Sequence, residues 1–142
     1  MLDLKVIHLV RDPRGNTASI MKHTRVGVSR AARRWRHYNL EAGRLQHLLP
    51  PASWMLLHYE ELCADPQGTL DRIAGFIGVE PDPVPTDLQA AEHHVIGNSM
   101  RLRAVGEIRQ DQTWREVLDS NDLRIIADIT GPLSHRLGFD WP

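Results

Sequence analysis

Arg11, Asp12, Pro13 and Ser19 are the residues whose types and spacing point first to chemistry. A guanidinium is a planar fork of N–H donors that grips two oxygens of a phosphate or carboxylate together. Asp12 followed by Pro13 is a helix start, because the carboxylate accepts bonds from free backbone N–H groups and proline supplies helical φ at the first position. Ser19 falls on that helix, eight positions after Arg11, so a fork, a hydroxyl and a positive helix terminus gather in one place. Such a set clamps an oxyanion. By itself the spacing is also that of an ordinary surface arginine and helix serine.

The elements that must position these residues are legible around them. Residues 4 to 10, Leu-Lys-Val-Ile-His-Leu-Val, form a short run of apolar and β-branched residues that predicts a buried strand of a parallel sheet, with Arg11 at its carboxyl mouth. From Val28, the residues Ala31, Ala32, Trp35, Asn39, Ala42, Leu45 and Leu49 recur at helical spacing and predict one inward face. Arg30, Arg33, Arg34, Arg36 and Arg44 fill the remainder of that helix, and Pro50-Pro51 stops it. Trp54 to Tyr59 reads as a second buried strand.

Asp65-Pro66 repeats the helix start, with Leu70, Ile73, Ala74 and Ile77 predicted inward and Gly78 as the stop. Residues 79 to 112 hold Pro81, Pro83 and Pro85 and no sustained period, which predicts a long loop. Ser120 or Asn121 opens a last helix with Leu123, Ile126, Ala127 and Thr130 inward, closed by Gly131-Pro132. Alternating strands and helices predict an α/β unit whose ligands bind at the carboxyl ends of its strands. Those ends carry Arg11-Asp12-Pro13 and His58-Tyr59-Glu60.

Composition narrows the class. With 142 residues, 42% hydrophobic and 25% charged, this is the make-up of one globular domain. Cys63 is the only cysteine, which rules out an internal disulfide and fits a reducing, cytoplasmic compartment. It sits among Glu60, Glu61 and Asp65, surroundings that disfavour a thiolate nucleophile. The short apolar run near the N-terminus is flanked by charges and is far too short to span a bilayer. The net charge of -1 hides an asymmetry, since residues 1 to 51 carry ten Lys and Arg against three acids. That imbalance fits an anionic ligand, or equally a solvated helix face, and no nucleic-acid partner is expected. His93-His94 has no identifiable third ligand, so no metal site is expected, and Trp35, Trp54 and Trp114 read as core or groove-lining aromatics.

The stretch LVRDPRGNTASIMKH resembles the 3'-phosphate-binding segment of sulfotransferases that use 3'-phosphoadenosine 5'-phosphosulfate (PAPS). HYEELCADPQGTLDRIAGFIGV is similar to the family's Tyr-Glu-Asp-Leu block and its Asp-Pro helix. HHVIGNSMRLRAVGEIRQDQTWREVL resembles the Gly-Asn and Met-Arg pattern of carbohydrate-type and related bacterial members, ending in an Asp-x-x-Trp element. The resemblance implies a P-loop-NTPase-like parallel sheet with flanking helices, and binding of PAPS or its desulfated product PAP. Arg11 and Ser19 would hold the 3'-phosphate, Tyr59 would lie near the adenine, and Arg101 and Arg103 would approach from a closing loop; Ser99 stands where the family usually has proline.

The family's phosphosulfate loop, its strand and helix, and its catalytic Glu or His precede the Arg-Asp-Pro block. None of the ten glycines here lies in a Gly-rich phosphate cradle, so no catalytic residue is assigned. The expectation is therefore a single partial domain over 1–142: a strand-helix-strand-helix nucleotide part over 1–78, a loop over 79–112 and a C-terminal helical part from 113. Such a domain would leave a sheet edge and an apolar face open for the missing half or another chain. The expected function is the C-terminal portion of an enzyme moving a sulfuryl group to a hydroxyl or amine, inactive alone. A non-catalytic nucleotide-binding module and an arginine-rich interaction protein using residues 25 to 44 are the alternatives.

Overall fold

A computed structural model describes residues 4–84 and 108–140. They form two strands and six α-helices in the order β1 (Val6–Val10), α1 (Pro13–Thr24), α2 (Val28–Gln46), β2 (Trp54–His58), α3 (Tyr59–Ala64), α4 (Pro66–Ile77), α5 (Trp114–Val117) and α6 (Ser120–Arg136), with a 3-10 turn at Pro51–Ser53. β1 and β2 pair in parallel, from Val6 opposite Trp54 to Val10 opposite His58. Parallel neighbours need a long crossover, which α1 and α2 provide. The mixed α/β class with a parallel sheet is thus the one expected. Among the described residues no helix is long and apolar enough to cross a membrane.

The chain divides into two compact units, residues 1–60 with 111–142, and residues 61–110. In the first, α2 contributes to two apolar clusters. Ala18, Ala32, Trp114, Leu118 and Ile126 make one, and Val10, Trp35, Leu133 and Phe139 make the other. Trp35 is almost wholly enclosed, and its indole N–H donates to the Arg11 carbonyl at 2.9 Å, so one side chain both fills the core and fixes the end of β1. Truncating it to alanine would cost roughly 3–5 kcal/mol. Asn39, also buried, accepts from His8 Nε2 at 2.8 Å through its side-chain oxygen and donates to the Trp35 carbonyl at 2.8 Å, which ties β1 to α2 a second time.

The second unit contains α4 and the chain that follows it. Asp65 caps α4 by accepting from the Gly68 N–H at 2.9 Å. Gly78 ends the helix in the left-handed conformation, φ 79°, where its N–H reaches the Ala74 carbonyl and where an L side chain would be strained. Gln67 holds the outgoing chain by accepting from the Val84 N–H at 2.7 Å.

Several expectations need correction. β1 is buried on one face only, because Ile7 and Leu9 alternate outward and are 37% and 53% exposed. The open apolar face expected from the sequence is therefore present on this strand. β2 ends at His58, one residue early, and Tyr59 opens α3. Leu45 keeps helical spacing yet is 42% exposed, and Leu70 and Ile77 on α4 also face solvent. The last helix does not stop at Gly131-Pro132 but runs to Arg136. Pro132 removes only one N–H bond, its ring is exposed, and continuing the helix buries Leu133 and Ser134. The actual stop is Gly138, φ 83°, with the Phe139 N–H closing on the Ser134 carbonyl at 2.9 Å. Helix α5, within the region expected to be irregular up to residue 112 and helical beyond, is a separate single turn. The Gly-Asn and Met-Arg block, with His93 and His94, lies outside the described residues.

Candidate anion-binding site

The carboxyl ends of both strands meet the start of α1. Asp12 caps that helix by accepting from the Arg14 N–H at 2.7 Å, and the same carboxylate takes the Arg14 guanidinium through Nε at 2.9 and 3.0 Å. From the end of β2, Glu60 Oε1 accepts the Asp12 N–H at 3.0 Å, so the two strand ends are locked together by a side chain. Glu60 Oε2 and Thr17 Oγ1 are buried without a hydrogen-bond partner among the described residues. Each unpaired group costs on the order of 1–3 kcal/mol, which the surrounding packing must offset.

Arg11 is the central cation. Its Nη2 donates to the Asp111 carbonyl at 3.0 Å and to Asp111 Oδ2 at 3.2 Å, across 100 residues of sequence. Its Cζ lies 4.6 Å from the centre of the Tyr59 ring, a cation–π contact. The guanidinium also rests on Gly15. A Cβ built there would stand 3.0 Å from Arg11 Nε and 3.1 Å from Nη2, so the absence of a side chain at Gly15 creates the seat. Ser19 lies one helical turn beyond Gly15 on α1.

Asp111 is held ionised. The Thr113 hydroxyl and the Thr113 backbone N–H, which reach its Oδ1 at 2.7 and 3.0 Å, lower its pKa most; burial opposes them, and the hydrogen bond and charge of Arg11 lower it further. The Arg11 side chain is 18% exposed and that of Asp111 is 41%. Only one nitrogen of the fork is engaged by Asp111, so among the described residues Nε and Nη1 retain donors for a second oxyanion. The arrangement can bind a phosphate, sulfate or carboxylate group beside an aromatic ring.

Of the five residues expected to bind nucleotide, the structure brings Arg11 and Tyr59 into contact and places Ser19 on α1, one turn beyond the Gly15 seat. Arg101 and Arg103 lie outside the described residues. Sequence reasoning missed Asp111, Gly15 and Glu60. The signal for Glu60 was its place directly after the strand; for Asp111 it was the Asp-x-x-Trp element, whose aspartate had no assigned partner. Trp114 of that element is buried, with Arg14 Cζ 4.5 Å and Arg115 Cζ 4.6 Å from its ring.

Residues 3–83 match the model of the Sulfotransferase family. Carbohydrate sulfotransferase 1 of Homo sapiens is 34% identical over 102 residues, covering 57% of this chain and 25% of that protein. Two solved structures share the fold. The sulfotransferase domain from the Synechococcus PCC 7002 olefin synthase has a TM-score of 0.74 at 20% identity, over 97% of this chain and 50% of that one. The sulfotransferase domain from the curacin biosynthetic pathway has a TM-score of 0.64 at 18% identity, over 97% of this chain and 54% of that one. The chain thus spans about a quarter of the curated relative and about half of each solved domain. With the strand, the Arg-Asp-Pro helix start and the Tyr-Glu block all inside the matched segment, this chain belongs to the sulfotransferase family.

Proposed function

We propose that this chain binds PAPS or PAP through the nucleotide's 3'-phosphate and forms the C-terminal part of an enzyme that moves a sulfuryl group to an acceptor hydroxyl or amine. Family membership supports PAPS as the donor, and the name of the human relative makes a saccharide hydroxyl the first acceptor class to test. The observation that carries the reading is the Arg11 guanidinium seated on Gly15, over Tyr59, at the joined strand ends. In this reading Arg11 and Ser19 take the 3'-phosphate, Tyr59 lies against the adenine, and Arg101 and Arg103 approach from the loop. Binding there orients the donor from a point remote from the reacting sulfur.

The 142 residues contain no Gly-rich cradle for the 5'-phosphosulfate, so on this reading the transferring machinery belongs to residues outside this chain, and the chain alone is inactive. The open face of β1, with Ile7 and Leu9, is the surface that such residues would cover. The single cysteine fits a reducing, cytoplasmic setting. Thermal-shift titration with PAP and with adenosine 5'-phosphate tests the reading. PAP is expected to raise the melting temperature and the nucleotide lacking the 3'-phosphate to do so far less, with the difference gone in Arg11→Ala. Equal shifts by the two nucleotides would overturn it.

A further inference from the structure

A cleft of about 490 Å³, apart from the Arg11 seat, opens where the start of α1 meets α5 and α6. Its volume falls within the range of about 300–1,000 Å³ that small-molecule sites occupy. Arg14, Arg115 and Arg124 supply its charge, and Leu118, Leu123 and Ala127 supply an aliphatic wall beside the Trp114 ring. Leu123 and Ala127 stand one turn apart on α6, so the apolar stripe runs along that helix. Among the described residues that line this cleft there is no carboxylate, hydroxyl or amide, and Arg11, Tyr59 and Asp111 take no part in it.

The charge in this cleft is only partly offset. Arg14 is paired with Asp12. Arg115 Nε donates to the Gln112 side chain at 3.0 Å and Arg124 Nη2 to the Asn121 side chain at 2.9 Å, and both partners are neutral amides. The Asp128 carboxylate stands 3.8 Å from Arg124 Nη1 with both side chains largely exposed, a contact that contributes little in water. Arg14 Cζ and Arg115 Cζ lie 4.5 and 4.6 Å from the centre of the same Trp114 ring, which holds two cations within about 9 Å of each other. An oxyanion entering from solvent offsets that crowding and accepts the Nη donors of Arg115.

The lining selects among anions. A saccharide carries hydroxyl protons that need acceptors, and the described lining offers only donors and apolar surface. A polyanion without apolar parts, such as an acidic peptide or a nucleic-acid backbone, would leave the aliphatic stripe in water. A flat aromatic ring finds no open face to stack on, because Trp114 is only 8% exposed and two guanidinium groups already lie against it. A flexible alkyl tail covers the stripe while its charged end meets the guanidinium groups. We propose that this cleft binds a small amphiphilic anion, a carboxylate at the end of an alkyl chain, with the carboxylate on Arg115 and Arg124 and the tail along Leu123 and Ala127. This site is separate from the nucleotide site and does not depend on that reading.

NMR titration of the 142-residue chain with octanoate, octanol and acetate tests the proposal by separating the tail from the charge. Octanoate should shift the Trp114 indole N–H and the Leu123 and Ala127 methyl signals, with an affinity that falls as NaCl is raised. Octanol, which lacks the charge, and acetate, which lacks the tail, should each bind at least about tenfold more weakly. Arg115→Gln with Arg124→Gln should weaken octanoate binding about tenfold, the scale of a lost charge-assisted bond. Ala127→Phe, which fills the place of the tail at a half-buried position, should weaken it as much while the signals of the folded chain are retained. Arg33→Gln with Arg36→Gln, outside this cleft, should leave affinity within about twofold. The proposal is overturned if octanoate leaves those signals unmoved, if its shifts gather at Arg11 and Tyr59 instead, if octanol or acetate binds as tightly, or if the control pair loses as much as the cleft pair. Equal affinity for a tetra-aspartate peptide would also overturn it, since that anion has no tail.

Discussion

Gly15→Ala separates stability from binding at the Arg11 site. The new methyl would stand 3.0 Å from Arg11 Nε, 3.1 Å from Nη2 and 3.3 Å from Cζ, and these atoms are the far end of a flexible side chain. The guanidinium therefore yields and the backbone stays. Alanine in place of glycine in a helix contributes about 0.5–1 kcal/mol. Displacing Arg11 from a half-exposed Asp111 loses at most about 1 kcal/mol, and leaving the Tyr59 ring loses about 0.5–1 kcal/mol. These nearly cancel, so the melting temperature should move by no more than about 4–8 °C in either direction. Affinity has no such offset, because a misplaced fork forfeits a charge-assisted bond of about 1.5–3 kcal/mol, roughly tenfold or more in Kd for PAP. Calorimetry with PAP and adenosine 5'-phosphate, together with a melting curve, measures both. If Gly15→Ala binds PAP as tightly as the unaltered chain while Arg11→Ala does not, the seat on Gly15 is not the binding position and the reasoning fails.

Asp111→Asn removes a negative charge beside Arg11 but keeps the backbone carbonyl, and should tighten PAP binding by about two- to tenfold, as read by calorimetry. The pKa of Asp111 is lowered in the folded chain, so its contribution to stability is present above its unfolded value of about 3.9 and is lost as pH falls through the lower folded value. Acid unfolding of Asp111→Asn should accordingly show a shallower stability loss below about pH 4 than the unaltered chain does. Asp12→Ala removes the α1 cap and the partner of Arg14, and should lower stability by about 1–2 kcal/mol in urea unfolding. Labelled PAPS assayed over a panel of hydroxylated acceptors should show no turnover by these 142 residues alone; robust turnover would contradict the assignment of the transferring groups to residues beyond them.

Local chemistry made part of this fold readable. The two Asp-Pro helix starts and the Gly78 stop are decided by caps within a few residues, and both strands were placed to within two residues. Gly131-Pro132 misled because its local preference is to end a helix, whereas burial of Leu133 and Ser134 favours continuing it. Leu45, Leu70 and Ile77 misled because spacing identifies a face without showing that anything covers it. At the candidate site, spacing singled out Arg11 and Ser19 and resemblance singled out Tyr59; of these, Arg11 and Tyr59 are in contact. Asp111 was not legible, since its pairing with Arg11 joins segments 100 residues apart and only the packed chain brings them together. Gly15 was hidden for another reason, because the need for glycine there comes from a guanidinium folded back on the helix and from no turn or left-handed φ.

A crystal structure of this chain with PAP would show whether Arg11 and Ser19 hold the 3'-phosphate. The 3'-phosphate should lie against α1, with an oxygen about 2.7–2.9 Å from Arg11 Nε or Nη1 and another within about 2.5–3.0 Å of Ser19 Oγ. A 3'-phosphate bound elsewhere, with Arg11 still paired to Asp111 and no ligand atom on its remaining donors, would contradict this placement.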